Sequence, residues 1–335
     1  MAARSFVAAA EKPPSAITIT TPLKARPPGG RTLVDLLCDA TPCANQDDAL
    51  RAATAAVGWT LKTIPFKNGD PATLLSAMQD ALRYKPVAVV LPGVDTTLWA
   101  SEVPAYEQAN IPLITTTITG LPRMSSPLVG IETEPYDAKQ GQAVANWFID
   151  NSKDKGKAPL LSIPAFPLFQ TMTEGFDRTV EAGCGGCTVK HLDLTIPQLQ
   201  NHQVAAAAIA VLRRDPSIDY LIAVSGTFVE GLRAQLRAAG LGKVVVGCAL
   251  ARQDTMADLR NGDLAECTNQ GEYTTGWMVL DAVLRLAEGS PLPRDAYAQG
   301  PAVVLLNKDN VGSPRPSWNA PADYAEQFKR LWHVA

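Results

Sequence analysis

Charge, histidine and long apolar runs are all scarce in this chain, and each scarcity closes off a class of function. Charged residues make up 19% of the 335, the formal net charge is −3, and no run of Lys or Arg is longer than two. Nucleic-acid binders carry a basic stripe or patch, so no nucleic acid is expected as a partner. No apolar stretch approaches the ~18 residues that a membrane-spanning helix needs. The opening MAARSFVAAAEKPP holds only the short run 6–10. Its small residues before Glu11 look like a processing boundary, the remnant of a signal peptide or lipoprotein leader, and a cloning scar or disordered start explains them equally well. The three histidines, His191, His202 and His333, share no metal spacing, so neither metal nor cofactor is expected. No GxSxG elbow, Walker A loop, HExxH pair or GxGxxG turn follows a strand, and Gly240-Leu-Gly-Lys243 lacks the P-loop spacing and its Ser or Thr. The chain is not expected to be an enzyme.

What is present is a βα rhythm. The segment 85–117 reads as an apolar strand, a Pro-Gly-Val-Asp turn, an amphipathic helix and a second apolar strand opened by Ile111-Pro112. Residues 87–91 are too few for a buried helix and too uniformly apolar for a half-exposed strand, which suits a parallel sheet covered on both faces. Ligands of such sheets lie beyond the carboxyl ends of the strands, where Asp95, Thr96 and the threonines 115–117 fall. Strands are also expected at 33–37, 61–66 and 128–131. Asp70 can cap, and Pro71 can open, a helix with Leu74, Leu75, Met78, Ala81 and Leu82 on its buried stripe. A second set of strands is expected at 159–163, 189–194, 220–224 and 244–247, followed by 264–268, a helix over 274–288 and a strand at 302–306. A chain of this length exceeds what one core usually supports, so two doubly wound α/β lobes are expected.

The six cysteines fall as Cys38/Cys43, Cys184/Cys187 and Cys248/Cys267. Fifteen pairings exist in principle; three local bridges are preferred, and disulfides point to an oxidising compartment. Cys184-Gly-Gly-Cys187 also has the spacing of a redox motif or half a zinc site, although no second CxxC or paired histidines accompany it.

In order and spacing, several phrases resemble the type I periplasmic solute-binding proteins of ABC importers, in particular the ribose-binding-like sugar branch. They are Leu91-Pro-Gly-Val-Asp95, Asn110-Ile-Pro-Leu-Ile114, Leu128-Val-Gly-Ile131 with Gly141 following, Glu174-Gly-Phe176, Leu212-Arg-Arg-Asp-Pro-Ser-Ile-Asp-Tyr220, Gly231 with Ala239-Gly240, Val245-Val-Gly247, Asn269-Gln270 with Gly276, and Leu286-Ala-Glu-Gly289. The resemblance covers about residues 32 to 312. It implies periplasmic binding protein type I architecture, two doubly wound parallel-sheet lobes joined by a three-crossover hinge that close over a ligand in the cleft. The expected division is an extended N-terminal lead (1–31), lobe 1 (32–132 plus 270–292), lobe 2 (133–269 plus 293–312) and a C-terminal tail (313–335), with crossings near 132–133, 268–270 and 291–294. It further implies a monomer that delivers a small-molecule ligand to an ABC transporter permease outside the cytoplasm, in the periplasm or at the cell surface, a lipid anchor on the precursor remaining open. A subunit reporting ligand to a membrane receptor is the alternative role.

The departures from that family bear on the ligand. Its sugar binders clamp hydroxyls with charged and bidentate groups. This chain has Thr117-Ile118 in place of an Asp-Arg pair, Met172 in place of an Arg, Ser225-Gly226 for Asn-Asp, and Gly247-Cys248-Ala249 for Gly-Phe-Asp; Gln270 alone matches. Buried hydroxyls without partners are costly, so an ordinary free pentose or hexose is not the expected ligand. Thr117, Ser225 and Gln270 would offer neutral hydrogen bonds, and Phe166, Phe169, Met172, Phe228 and Tyr273 apolar or stacking surface, which points to a neutral, partly apolar solute or a modified sugar. The alternative is that the aromatics are core and a sugar binds in an altered pose. Asp39, Asp95, Thr96 and Ala249 complete the candidate set; for the two aspartates turn capping is the competing explanation, and for Trp99 packing is preferred. Hinge hydrogen bonding or solvent exposure explains Glu132 and Glu134 more simply than ligand contact.

Overall fold

The computed structural model describes residues 2–122, 124–125 and 127–335. In chain order it runs α1 (Ala2–Ala10), β1 (Thr32–Cys38), α2 (Thr41–Ala56), β2 (Thr60–Phe66), α3 (Pro71–Leu82), β3 (Val89–Leu91), α4 (Val103–Ala109), β4 (Leu113–Thr116), β5 (Leu128–Ile131), α5 (Glu134–Asn151), β6 (Lys157–Ser162), α6 (Pro167–Gly183), β7 (Thr188–Asp193), α7 (Ile196–Gln200), α8 (Val204–Arg214), β8 (Tyr220–Ala223), α9 (Leu232–Ala238), β9 (Val245–Cys248), α10 (Gln253–Asn261), β10 (Glu266–Thr268), α11 (Glu272–Glu288), α12 (Arg294–Ala298), β11 (Leu305–Leu306) and α13 (Tyr324–Leu331). Two compact units result, one of residues 14–135, 271–302 and 319–335, the other of residues 1–13, 136–270 and 303–318.

The first unit is built on a five-stranded sheet ordered β2-β1-β3-β4-β5, every pair parallel. Successive residues of one strand enter opposite cores. Leu33, Val90 and Ile114 join α2 and α11 on one face, while Val34, Val89, Leu91 and Leu113 join α3 and α4 on the other. That two-sided burial is why apolar side chains fall on both faces of these strands rather than alternating, with Asp35 of β1 and Thr115 and Thr116 of β4 as buried polar exceptions. Local signals act as the sequence suggests. Asp70 accepts from the amides of Ala72 (3.1 Å) and Thr73 (3.4 Å) ahead of Pro71, and Gly58 takes a left-handed φ of 70° where the chain leaves α2 for β2.

The second unit has a six-stranded sheet ordered β11-β10-β9-β8-β6-β7, parallel except for the short antiparallel β11. Helices α5 and α6 meet at glycine: a Cβ on Gly141 would strike the carbonyl of Met172, and one on Gly175 the carbonyl of Ala138. The three preferred cystines are present, Cys38–Cys43, Cys184–Cys187 and Cys248–Cys267. The last joins residues directly opposite on β9 and β10.

The ends of the chain differ from expectation. The lead is not extended throughout, because residues 2–10 form α1, whose Val7 is buried in the second unit. Ile17, Ile19 and Leu23 then enter the α2/α11 core of the first unit, and Phe328 and Trp332 of the tail enter the same core. Both segments are therefore integral to the units rather than appendages. The last internal crossing lies at 302/303 rather than near 291–294, since the carbonyls of Tyr297 and Ala298 accept from the amides of Glu132 (2.9 Å) and Thr133 (3.0 Å) and hold α12 to the first unit.

A buried polar cluster secures that arrangement. Asp281 of α11 accepts from Arg285 Nε (2.8 Å), Tyr297 Oη (2.6 Å) and Trp332 Nε1 (2.8 Å), and Arg285 donates onward to the carbonyl of Thr21. Asp281 and Arg285 are both fully buried, so one carboxylate ties α11, α12 and α13 together, with Arg285 extending the link to the lead.

Candidate functional site

Strand order marks where each sheet can hold a ligand. In the first unit the chain winds outward from β1 to β2 on one side and to β3 on the other, which places the switch point between the carboxyl ends of β1 and β3. In the second unit the switch lies between β6 and β8.

At the first switch point stand Asp39 and Asp95, both exposed. Each shapes its own turn. Asp39 Oδ1 accepts from the amide of Asn68 (3.1 Å), and Asp95 Oδ1 accepts from the amide (2.8 Å) and hydroxyl (2.7 Å) of Thr97. The Thr97 hydroxyl, then its amide, lower the Asp95 pKa. Thr96 follows, half-buried, in a short 3-10 turn, and Trp99 packs in the core with Nε1 donating to the carbonyl of Val94 (3.1 Å). Thr117 sits past β4 with φ 51°, and its hydroxyl donates to Glu132 Oε2 (2.7 Å). Thr117 is thus turned inward onto a carboxylate, and Ile118 beside it is core.

Glu132 is itself buried, at φ 58°, with its other oxygen accepting from the hydroxyl of Thr275 in α11. Burial raises its pKa from 4.5 to about 7, against the two threonine hydrogen bonds that lower it, and Glu272 adds to the rise. The folded chain therefore holds this proton more tightly than the unfolded chain does. Stability from Glu132 is full below about pH 4.5 and is lost as pH rises through about 7. Melting temperature is expected to fall between about pH 5 and pH 8, and Glu132→Gln to flatten that slope; an unchanged slope in a pH series of thermal melts would refute the assignment.

At the second switch point the sequence places aromatic rings. Phe166 caps the start of α6, Phe169 lies one turn on, and Phe228 closes a 3-10 turn after β8. The centroids of Phe166 and Phe169 are 5.7 Å apart and those of Phe169 and Phe228 5.3 Å, both edge-to-face. Exposure grades along this ladder from 36% at Phe166 to 2% at Phe228. Ser225 is buried and caps the turn by accepting from the amide of Thr227 (3.3 Å). Ala249 is buried in the sheet through its amide to the carbonyl of Ala223 (2.8 Å). Met172 is fully buried where α6 crosses α5. Gln270 is half-buried and its Oε1 has no partner within the described residues, while its carbonyl accepts from Tyr136 Oη (2.8 Å). Tyr273 lies in the other unit, half-buried against its core.

Two groups escaped the sequence reading. Gln140 of α5 is fully buried, donates Nε2 to the carbonyl of Asn269 (3.1 Å), and leaves Oε1 without a partner. Its signal was an amide on the buried stripe that also carries Gly141 and Val144. Arg252, past β9, donates Nε to the Thr227 hydroxyl (2.9 Å) and brings a guanidinium to the turn that holds Phe228. No group of three or more His, Cys, Asp or Glu among the described residues could hold a metal ion, and no helix among them is long and apolar enough to cross a membrane.

The periplasmic binding protein domain family matches residues 43–291. The chain belongs to that family. Solved structures of similar fold include a sugar-binding protein of a sugar ABC transporter from Bacillus halodurans, with TM-score 0.73, 16% identity and coverage of 85% of this chain and 100% of that one. A solute-binding protein from Agrobacterium vitis bound with α-D-tagatopyranose gives 0.71 at 20% identity, covering 85% and 97%. One from Mycobacterium smegmatis with bound glycerol gives 0.70 at 18%, covering 87% and 100%. At these identities the likeness shows the type I fold. No curated protein matches this periplasmic binding protein in sequence.

Proposed function

We propose that the protein is an extracytoplasmic solute-binding protein serving an ABC importer, and that its solute is neutral and presents a flat apolar face, as a modified sugar does, rather than being a free pentose or hexose. The observation that carries this reading is the Phe166–Phe169–Phe228 ladder at the β6/β8 switch point, graded from exposed to buried. Such a ladder offers stacking surface to a ring at its exposed end, Phe166. The family supports capture and release without catalysis, and the sugar-transport relatives support a carbohydrate-derived solute and a permease as partner.

Thermal shift of the purified protein against sugars, polyols, aromatic acids and nucleosides tests it. A solute at ~100 times its dissociation constant adds ~2.7 kcal/mol of stability. The largest shift is expected from a solute with an apolar ring face, and Phe166→Ala, at an exposed position, is expected to reduce that shift while leaving the unliganded melting temperature in place. A free monosaccharide giving the largest shift, undiminished by Phe166→Ala, would overturn the reading.

A further inference from the structure

Asn-Gly occurs twice in this chain, at Asn68-Gly69 and Asn261-Gly262, and it is the dipeptide in which a side-chain amide is most open to attack by the backbone nitrogen that follows it. Glycine has no Cβ to shield that nitrogen. The two copies are closely matched. All four residues are exposed, the glycines take left-handed φ values of 79° and 74°, and a Cβ on either would meet nothing within 4 Å. Neither asparagine side chain has a hydrogen-bond partner among the described residues.

They differ in the glycine nitrogen itself. Gly262 closes α10, and its amide donates to the carbonyl of Leu259 (3.0 Å). Gly69 stands in the turn from β2 to α3, where the amide of Asp70 donates to the carbonyl of Lys67 (3.1 Å) and the amide of Asn68 to Asp39 Oδ1 (3.1 Å). The amide of Gly69 has no acceptor among the described residues. The turn is thus pinned on both sides of a nitrogen that is itself unengaged.

We propose that Asn68-Gly69 is a site of spontaneous covalent modification, at which Asn68 becomes isoaspartate or aspartate while Asn261 is spared. The Gly69 nitrogen, its proton lost to hydroxide, bonds to Asn68 Cγ, and the Cγ–Nδ2 bond breaks as ammonia leaves. Water then opens the five-membered imide. Cleavage of the ring nitrogen from Cγ leaves aspartate; cleavage from the main-chain carbonyl carbon leaves isoaspartate, whose backbone runs through Cγ and is one methylene longer. The sum is an amide and water giving a carboxylate and ammonia, with no redox partner. The new charge arises beside Asp39, which accepts from the amide of residue 68, and near Asp70, which caps α3. The longer isoaspartyl backbone loosens the turn that carries both contacts. Any effect on solute binding rests on the solute-binding reading; the modification itself does not.

The test needs no ligand. The full chain is incubated in mildly alkaline buffer, folded or in urea, then digested at mildly acidic pH and mapped by mass spectrometry. In the folded chain the peptide holding Asn68 is expected to gain one dalton, as an isoaspartyl and aspartyl pair separable by chromatography, about tenfold or more faster than the peptide holding Asn261, which reacts only when the end of α10 opens. In urea the two should convert at similar rates. Asn68→Gln, at an exposed position, is expected to remove the modification, because its longer side chain would have to close a less favoured six-membered ring. Equal rates at Asn68 and Asn261 in the folded chain, or an Asn68 that stays intact while the unfolded chain converts, would overturn the proposal. A solute panel with no hits would weaken the functional reading and leave this result standing.

Discussion

Asp281→Ala is expected to lower the unfolding free energy by about 3–5 kcal/mol, the range for removing one partner of a buried ion pair. The loss is large because three donors converge on one carboxylate. Without it, the Arg285 guanidinium stays buried with its charge uncompensated, and Tyr297 Oη and Trp332 Nε1 each lose an acceptor away from water. The attraction within the pair is not the main quantity. Exchanging both charges for apolar residues, as in Asp281→Leu with Arg285→Met, is expected to recover much of the loss, since buried pairs replaced together by packed hydrophobes are often neutral or better. Urea denaturation of the single and double variants checks this. If the double variant proves as unstable as Asp281→Ala, the cluster contributes chiefly through the links to α12 and α13 rather than through the charge pair.

The second large effect is expected at Gly141. On helix propensity alone, Gly→Ala in the middle of α5 should stabilise by about 1 kcal/mol. Packing reverses the sign. The new methyl would meet the Met172 carbonyl of α6, backbone against backbone, where neither side can rotate away, so a cost of about 1–3 kcal/mol is expected. Gly175→Ala makes the reciprocal clash with Ala138, and because either substitution already pushes the same two helices apart, the double variant should cost less than the sum. Gln140 sits next to Gly141 and Phe169 lies on α6, so the separation should also weaken any solute shift. A stabilised Gly141→Ala protein in thermal melts would show that α5 and α6 are less tightly apposed than described.

Much of the fold was legible because its signals are local. Uniform apolar runs marked β3 and β4, Asp70-Pro71 marked the start of α3, and Gly141 and Glu174-Gly-Phe176 marked a family phrase whose physical basis is the close approach of two helices. The site was legible in type but not in role. Phe166, Phe169 and Phe228 do come together, since all three follow strands that flank one switch point. The Thr117 hydroxyl is occupied by Glu132, a partner 15 residues away that no spacing rule selects. Met172, a candidate for apolar lining, is buried where α6 crosses α5. The termini were hardest to read. Ile17, Ile19, Phe328 and Trp332 are apolar residues scattered through polar, Pro-rich chain, and only the tertiary fold shows that they complete one core. The Asp281/Arg285 pair left a faint trace, an i,i+4 charge pair inside an otherwise apolar helical stripe.

The cystine between β9 and β10 carries a practical consequence. β10 is three residues long and shares only two register positions with each neighbour, Glu266 and Cys267 facing β9, and Cys267 and Thr268 facing β11. Bonds from the amides of Ala265 to Val246, Ala251 to Thr268 and Asn269 to Val304 set its alignment, and the cystine at Cys267 adds a covalent tie to them. Protein produced in a reducing cytosol would lack that tie, and the margin of the sheet that leads into Asn269 and Gln270 would be less stable for it. Oxidised and reduced protein should therefore be assayed side by side before binding measured on cytosolic material is attributed to the native chain.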